Sequence, residues 1–328
     1  MTAAVIASAV VRTKATAAAD YSSLKTDDYL GPVEVLAKVE DETVFTEGPA
    51  VDRDGNVLFT NVPVNKILKW DPRTRRLSVF RENSNETNGL YFAPDGRLLA
   101  CEGASARITR TDAKTGKIEV LAESYQGRRL AKPNDLCMDD RGRVYFTSRS
   151  AADDPSGENV KAVYRIDVDG SLHQILAWPE VHMPNGIVTS PDNKKLYLIE
   201  AHPDADHHRD IRAYDLNADG SVSNGRVLID FYPGRSGDGM CIDAEGNLYV
   251  AAGLHKSRKT SETLDTKPGI HVISPEGELL AYRKTPEDTI TNCTFGGEDL
   301  KTLYVVCGSL LLSISTKIPG QASYEPPA

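Results

Sequence analysis

Among its 328 residues the chain has only five cysteines, an odd number with no C-x-x-C pair. That excludes a disulfide framework and a zinc knuckle. Positive charge is in the minority, 38 Lys and Arg against 47 Asp and Glu, for a net charge of −9. A broadly basic surface is therefore absent, and nucleic acid and anionic membrane are poor partners. The longest early apolar run, Ala3 to Val11, is far too short to cross a bilayer. No G-x-S-x-G nucleophile elbow occurs. What is present, 40 % hydrophobic and 26 % charged residues, is the composition of a folded soluble protein with a sizeable core.

Residues 1–32 read as a leader. Ala17-Ala18-Ala19 before Asp20 resembles a signal-peptidase site, but no positive residue precedes the apolar stretch. A trimmed export signal and a disordered Ala-rich leader both fit, which leaves localisation open.

The strongest signal is an internal repeat. Six segments align, starting at Glu47, Asn88, Asn134, Asn185, Asp238 and Asn292, with separations of 41, 46, 51, 53 and 54 residues. Each opens on a polar residue, runs through a short apolar stretch, turns at an Asp-Gly-like pair such as Asp54-Gly55 or Asp95-Gly96, and enters a second apolar stretch. These are hairpins. A second hairpin follows in most units, as in KILKWD-PRTRR-LSVF. Four strands per unit with a period near 50 residues describe a propeller blade, and no helical crossover of the kind a TIM barrel needs is visible. The expected fold is an all-β, six-bladed β-propeller of four-stranded antiparallel blades over residues 33–316. Val33–Val39 completes the last blade and removes an exposed edge. Residues 317–328 are expected to form a surface tail. The cysteines fall on first and second strands, where small buried hydrophobes belong.

The repeat also predicts a site. First strands line a propeller's channel, so Glu47, Asn88, Asn134, Asn185, Asp238 and Asn292 form a ring at one mouth. Taken alone, Asn88-Gly89 and Asn185-Gly186 read first as turn dipeptides, and the repeat shifts that reading because the same place is Glu-Gly in unit one and Asp-Gly in unit five. Six oxygen-bearing side chains, two of them acidic, are costly to bury without a partner. A bound divalent cation resolves that cost. Carboxylate and amide donors favour Ca²⁺, then Mg²⁺ or Mn²⁺, with Zn²⁺ less natural.

FTEGPAVD around Glu47, LAKPNDLCMD around Asn134, MPNGIVTSPD around Asn185, SGDGMCIDAEGNLYVA around Asp238 and NCTFGGED around Asn292 occur in an order and spacing that resemble the gluconolactonase/regucalcin (senescence marker protein) family. The likeness runs from about Val33 to Ser315. It implies metal-dependent hydrolysis of a sugar lactone, with Glu47, Asn185 and Asp238 as metal ligands and Asn134 as a fourth ligand or substrate contact. Asp238 matches the general base. Lys132 stands where a relative has a substrate-contacting Arg, and Thr147-Ser148-Arg149 replaces the Thr-Asp-Pro of many bacterial relatives. Asn88 and His182 are further candidate substrate contacts. An organophosphate hydrolase on the same ring and a non-enzymatic calcium-binding propeller are the alternatives. His202, His207 and His208 could touch substrate, bind a second metal, or lie in a solvated loop. The long polar loop 254–268 should overhang the same mouth.

Overall fold

The computed structural model describes residues 20–112, 114–149 and 161–322. Within them the chain forms six four-stranded antiparallel sheets, arranged as the blades of a propeller. Blade 1 runs outward through Thr46–Val51, Val57–Asn61, Lys66–Asp71 and Arg76–Arg81. Blades 2 to 5 repeat the plan, opening on Thr87–Phe92, Lys132–Met138, Pro184–Thr189 and Gly237–Ile242. Blade 6 takes Ile290–Gly296, Thr302–Cys307 and Leu310–Thr316 from the C-terminal end of the chain and its outer strand, Leu30–Lys38, from the N-terminal end. That strand pairs antiparallel with Leu310–Thr316, so the ring closes by backbone hydrogen bonds as the sequence predicts, with the strand beginning earlier than Val33.

The hairpin turns follow from local chemistry. Gly55, Gly96, Gly142 and Gly246 have φ between 81° and 87°, which costs glycine little and other residues more. Blade 4 uses Asn193 at φ 54°, a residue that tolerates the left-handed region. Strand alternation then builds the core. There is one apolar cluster for each of the six interfaces between neighbouring blades; Leu99, Ile108, Leu136 and Phe146 join blades 2 and 3, and Ile199, Ile211, Met240 and Val250 join blades 4 and 5. Each blade buries both faces only because the next blade is there.

Residues 20–28, placed with the leader on sequence grounds, lie on blade 5. The Tyr21 ring packs edge-on against Tyr282 at 4.8 Å, and its hydroxyl hydrogen-bonds His271 Nε2 at 3.0 Å. The segment after Thr316 crosses the end of the channel opposite the ring. There Ala244 N–H donates to the Pro319 carbonyl (2.9 Å), Gln321 N–H donates to the Ile242 carbonyl (3.0 Å), and Gly320 is buried against Phe295. The Ala17–Ala19 site and the residues after 322 lie outside the described residues.

Candidate active site

The six repeat positions lie on the innermost strands of their blades, which neighbour one another around the channel, and side-chain hydrogen bonds join Asn185 to Asp238 and Asn292 to Asp135. Glu47, Asn134, Asn185, Asp238 and Asn292 are buried, and Asn88 is half-buried. The Asn-Gly pairs are strand residues, not turns. A Cβ on Gly89 would sit 2.7 Å from the Asn134 carbonyl oxygen, and one on Gly186 would sit 2.7 Å from that of Asp238. Glycine is needed there because the next blade's inner strand passes against it. Threonine hydroxyls fix the same seams: Thr60 Oγ1 donates to the Asn88 carbonyl (3.1 Å) and Thr147 Oγ1 to that of Asn185 (2.8 Å).

Asp238 is the best-held member of the ring. Its Oδ1 accepts from Asn185 Nδ2 at 2.5 Å, and its Oδ2 accepts from Arg235 Nη2 at 2.5 Å. Arg235 is itself buried and donates Nη1 to the carbonyls of Gly253 (3.3 Å) and Ile290 (3.1 Å), so its fork is fixed on three sides. Glu47 contrasts with it. It is 3 % exposed, and among the described residues its carboxylate accepts one long bond, from the Gly48 N–H at 3.3 Å. Burial pushes its pKa well up, Asp238 and then Asp135 push it further, and the Arg149 guanidinium opposes them.

Three participants were not picked out from the sequence. Asp135 occupies the place that is glycine in blades 1, 2, 4 and 5; it accepts from Asn292 Nδ2 at 3.1 Å, and burial raises its pKa to about 7. The break in the glycine pattern was the available signal. Arg235 stands three residues before Asp238. Arg149 ends the second strand of blade 3 and acts on a carboxylate of blade 1. Arg235 bonds a carbonyl of the next blade and the charge of Arg149 acts on another blade's carboxylate, neither of which the local pattern encodes. Below the ring, Asp135 and Asn292 border a cavity of about 110 Å³ that Cys137, Cys241 and Cys293 also line.

Other expected contacts lie apart from Asp238. Lys132 is 62 % exposed and pairs with Glu86 at 2.9 Å. His182 joins a cluster with Trp178, His207 and His208, with His182 Nδ1 and His207 Nδ1 3.0 Å apart. His202 stacks on His207 at 3.7 Å. Among the described residues no three His, Cys, Asp or Glu side chains are placed to hold a metal ion by themselves. The mouth's acids must act together with its amides. The 254–268 loop is tied to its neighbours: Ser261 N–H donates to the Pro203 carbonyl (3.2 Å), Thr263 N–H donates to the Pro233 carbonyl (3.0 Å), and the buried Arg209 donates to the Ser261 carbonyl (3.4 Å).

A six-bladed propeller with buried acids and amides on its inner strands presents a polar site at its axis. The chain belongs to the family described as SMP-30/Gluconolactonase/LRE-like region, which residues 45–309 match. It is 29 % identical to a gluconolactonase of Zymomonas mobilis over 89 % of this chain and 83 % of that one. It is 26 % identical to the regucalcin of Homo sapiens over 80 % and 82 %. Among solved structures, a gluconolactonase of Xanthomonas campestris superposes with a TM-score of 0.72 at 25 % identity, over 89 % of this chain and 96 % of that one.

Proposed function

We propose that the chain is a lactonase that opens a sugar lactone with the help of one divalent cation held at the ring. Lactone hydrolysis as the reaction class is supported by the gluconolactonase relatives, similar over most of both chains. The observation that carries the finer reading is the pair of buried carboxylates, Glu47 and Asp238, brought within mutual influence from blades 1 and 5. The donors fit a hard cation. Glu47 has one weak hydrogen bond and like charges beside it, a cost that a positive ion removes. All-oxygen ligands suit Ca²⁺ first, then Mg²⁺ or Mn²⁺, and Zn²⁺ less. Glu47, Asn185 and Asp238 would hold it, with Asn134 as fourth ligand or substrate contact. When bound, such an ion polarises the lactone carbonyl and acidifies adjacent water.

Asp238 is the base in this reading. Its two oxygens offer about four lone pairs, and Asn185 and Arg235 engage one on each. A remaining lone pair takes a proton from the attacking water as the new C–O bond forms at the acyl carbon. The acyl–ring-oxygen bond breaks next, and Asp238 returns the proton to the departing oxygen, giving a hydroxy acid. Asn134 and Asn88 orient the carbonyl or hydroxyls from inside the ring, and Lys132 and His182 from the rim.

The test is a panel of aldonolactones and a diaryl phosphate, assayed after chelation and re-addition of each cation. Restored lactone turnover supports the reading; turnover of the phosphate alone would replace it with the organophosphate alternative, and cation binding without turnover with the calcium-binding one. Asp238→Asn is expected to lower kcat by about 10²–10⁴ while cation binding weakens much less. Near-full turnover in that variant with cation bound would remove Asp238 as base.

A further inference from the structure

The lactonase reading leaves the substrate's substituents open. We infer that the substrate is a lactone carrying an anionic group, and that Arg149 binds that group. This rests on the reading above and deepens it.

Arg149 lies at the ring end of blade 3, with its Cα opposite that of Lys132. It influences the Glu47 carboxylate although Glu47 belongs to blade 1. Its guanidinium is thus near enough for its charge to act on a carboxylate of another blade. The neighbouring cations are otherwise engaged: Arg235 with Asp238, Lys132 with Glu86 at 2.9 Å, and Arg258 with Asp288 at 3.9 Å. Among the described residues no carboxylate forms an ion pair with Arg149, and its Nη1 is shielded from water without a hydrogen-bond partner. A charged donor buried in that way is costly unless something fills its valence. A planar guanidinium fork matches carboxylate and phosphate oxygens in particular.

Charge balance points the same way. A divalent ion at the ring offsets Glu47 and Asp238. Arg235 and Arg149 then outnumber the one remaining acid, Asp135, which already accepts from Asn292. A neutral polyol lactone could hydrogen-bond Nη1 but would leave that excess. A lactone bearing a carboxylate or phosphate supplies both the acceptor and the charge.

The experiment compares wild-type protein, Arg149→Gln and Arg149→Lys on three lactones of one ring: neutral, carboxylate-bearing and phosphate-bearing. Binding of the matching lactams is followed by calorimetry. The wild type should favour one charged lactone over the neutral one by about tenfold or more in kcat/KM, with the same order in lactam affinity. The preference should shrink as salt rises through the range where the Debye length falls from about 10 to about 3 Å. It should collapse in Arg149→Gln and survive in part in Arg149→Lys. Which charged ring wins separates carboxylate from phosphate. Equal efficiency on all three lactones, or a preference that persists in Arg149→Gln, overturns the inference. If no lactone is opened, the lactonase reading fails instead, and lactam binding still decides the role of Arg149: an anion preference lost in Arg149→Gln upholds it, and equal binding refutes it.

Discussion

Arg235 does two jobs that substitution can separate. One nitrogen holds Asp238, and the other closes two backbone carbonyls, those of Gly253 and Ile290. Arg235→Lys keeps a charge for Asp238 and gives up the fork. Arg235→Met gives up both and leaves buried acceptors unpartnered, at a cost of about 1–3 kcal/mol each. The Met variant is expected to lose about 10²-fold in kcat, in the range of a mispositioned catalytic group, and the Lys variant to recover most of it. Both should be less stable than wild type in urea. Parallel loss of kcat and stability in the two variants would make Arg235 a structural residue only. The sequence offers Arg235 as one basic residue among many, because its meaning depends on where the Ile290 carbonyl of the next blade lies. Glu47, Asn185 and Asp238 were readable for the opposite reason. They recur at one repeat position, and closing the ring places equivalent positions together whatever the loops do.

Loops and edges follow a different logic from strands. The Asp-Gly hairpins were legible because the turn demands a left-handed backbone and the dipeptide supplies it. The ring's Asn-Gly pairs carry the same letters for another purpose, close passage of a neighbouring blade, which no local rule distinguishes. The N-terminal segment was read as leader because it belongs to no repeat, yet Tyr21 caps the third strand of blade 5 at His271. Complete burial lowers the His271 pKa to about 4, with Tyr21, Tyr282 and Phe231 packed around the ring. Its folded pKa lies below the usual value of about 6.5, so the unfolded chain takes up the proton first as pH falls. The stabilisation from a neutral His271 is complete above about pH 6.5 and is lost progressively down to about pH 4, on the order of 3 kcal/mol in all. Glu200, raised to about 7 by burial, works with the opposite sign over part of that range, so a difference between variants is the clean measure. His271→Gln should gain stability relative to wild type as pH drops from 7 to 4, read from urea midpoints at each pH. A constant difference across the range would remove His271 as the titrating group.

At the scale of the whole ring, the proposed cation and the closing strand act on the same weakness. A propeller without its last pairing can open at one seam. Here the seam is closed by Leu30–Lys38 on Leu310–Thr316, and the channel is crossed at the opposite end by Lys317–Ala322. Among the described residues the ring end has no such strap. It has carboxylates on blades 1 and 5 and a carboxamide on blade 4, gathered from blades that are far apart in sequence and share no sheet. Without a cation, burial and then the neighbouring Asp238 and Asp135 push the Glu47 pKa well up, so an ionised Glu47 is a strain on the closed ring. An ion bound by all three blades would relieve that strain and bind the folded ring alone, so it should stabilise the domain as one cooperative unit. At about a hundredfold excess over its Kd the gain is about 2.7 kcal/mol, enough to raise Tm by several degrees. Calorimetric scans of chelated protein, with and without added Ca²⁺, are expected to show one transition that moves up with the ion. Glu47→Gln, which keeps the shape and removes the charge, should abolish the shift while leaving the chelated protein at least as stable as wild type. A Tm indifferent to every divalent cation, or an unchanged shift in Glu47→Gln, would mean that the ring gathers its acids for something other than a metal.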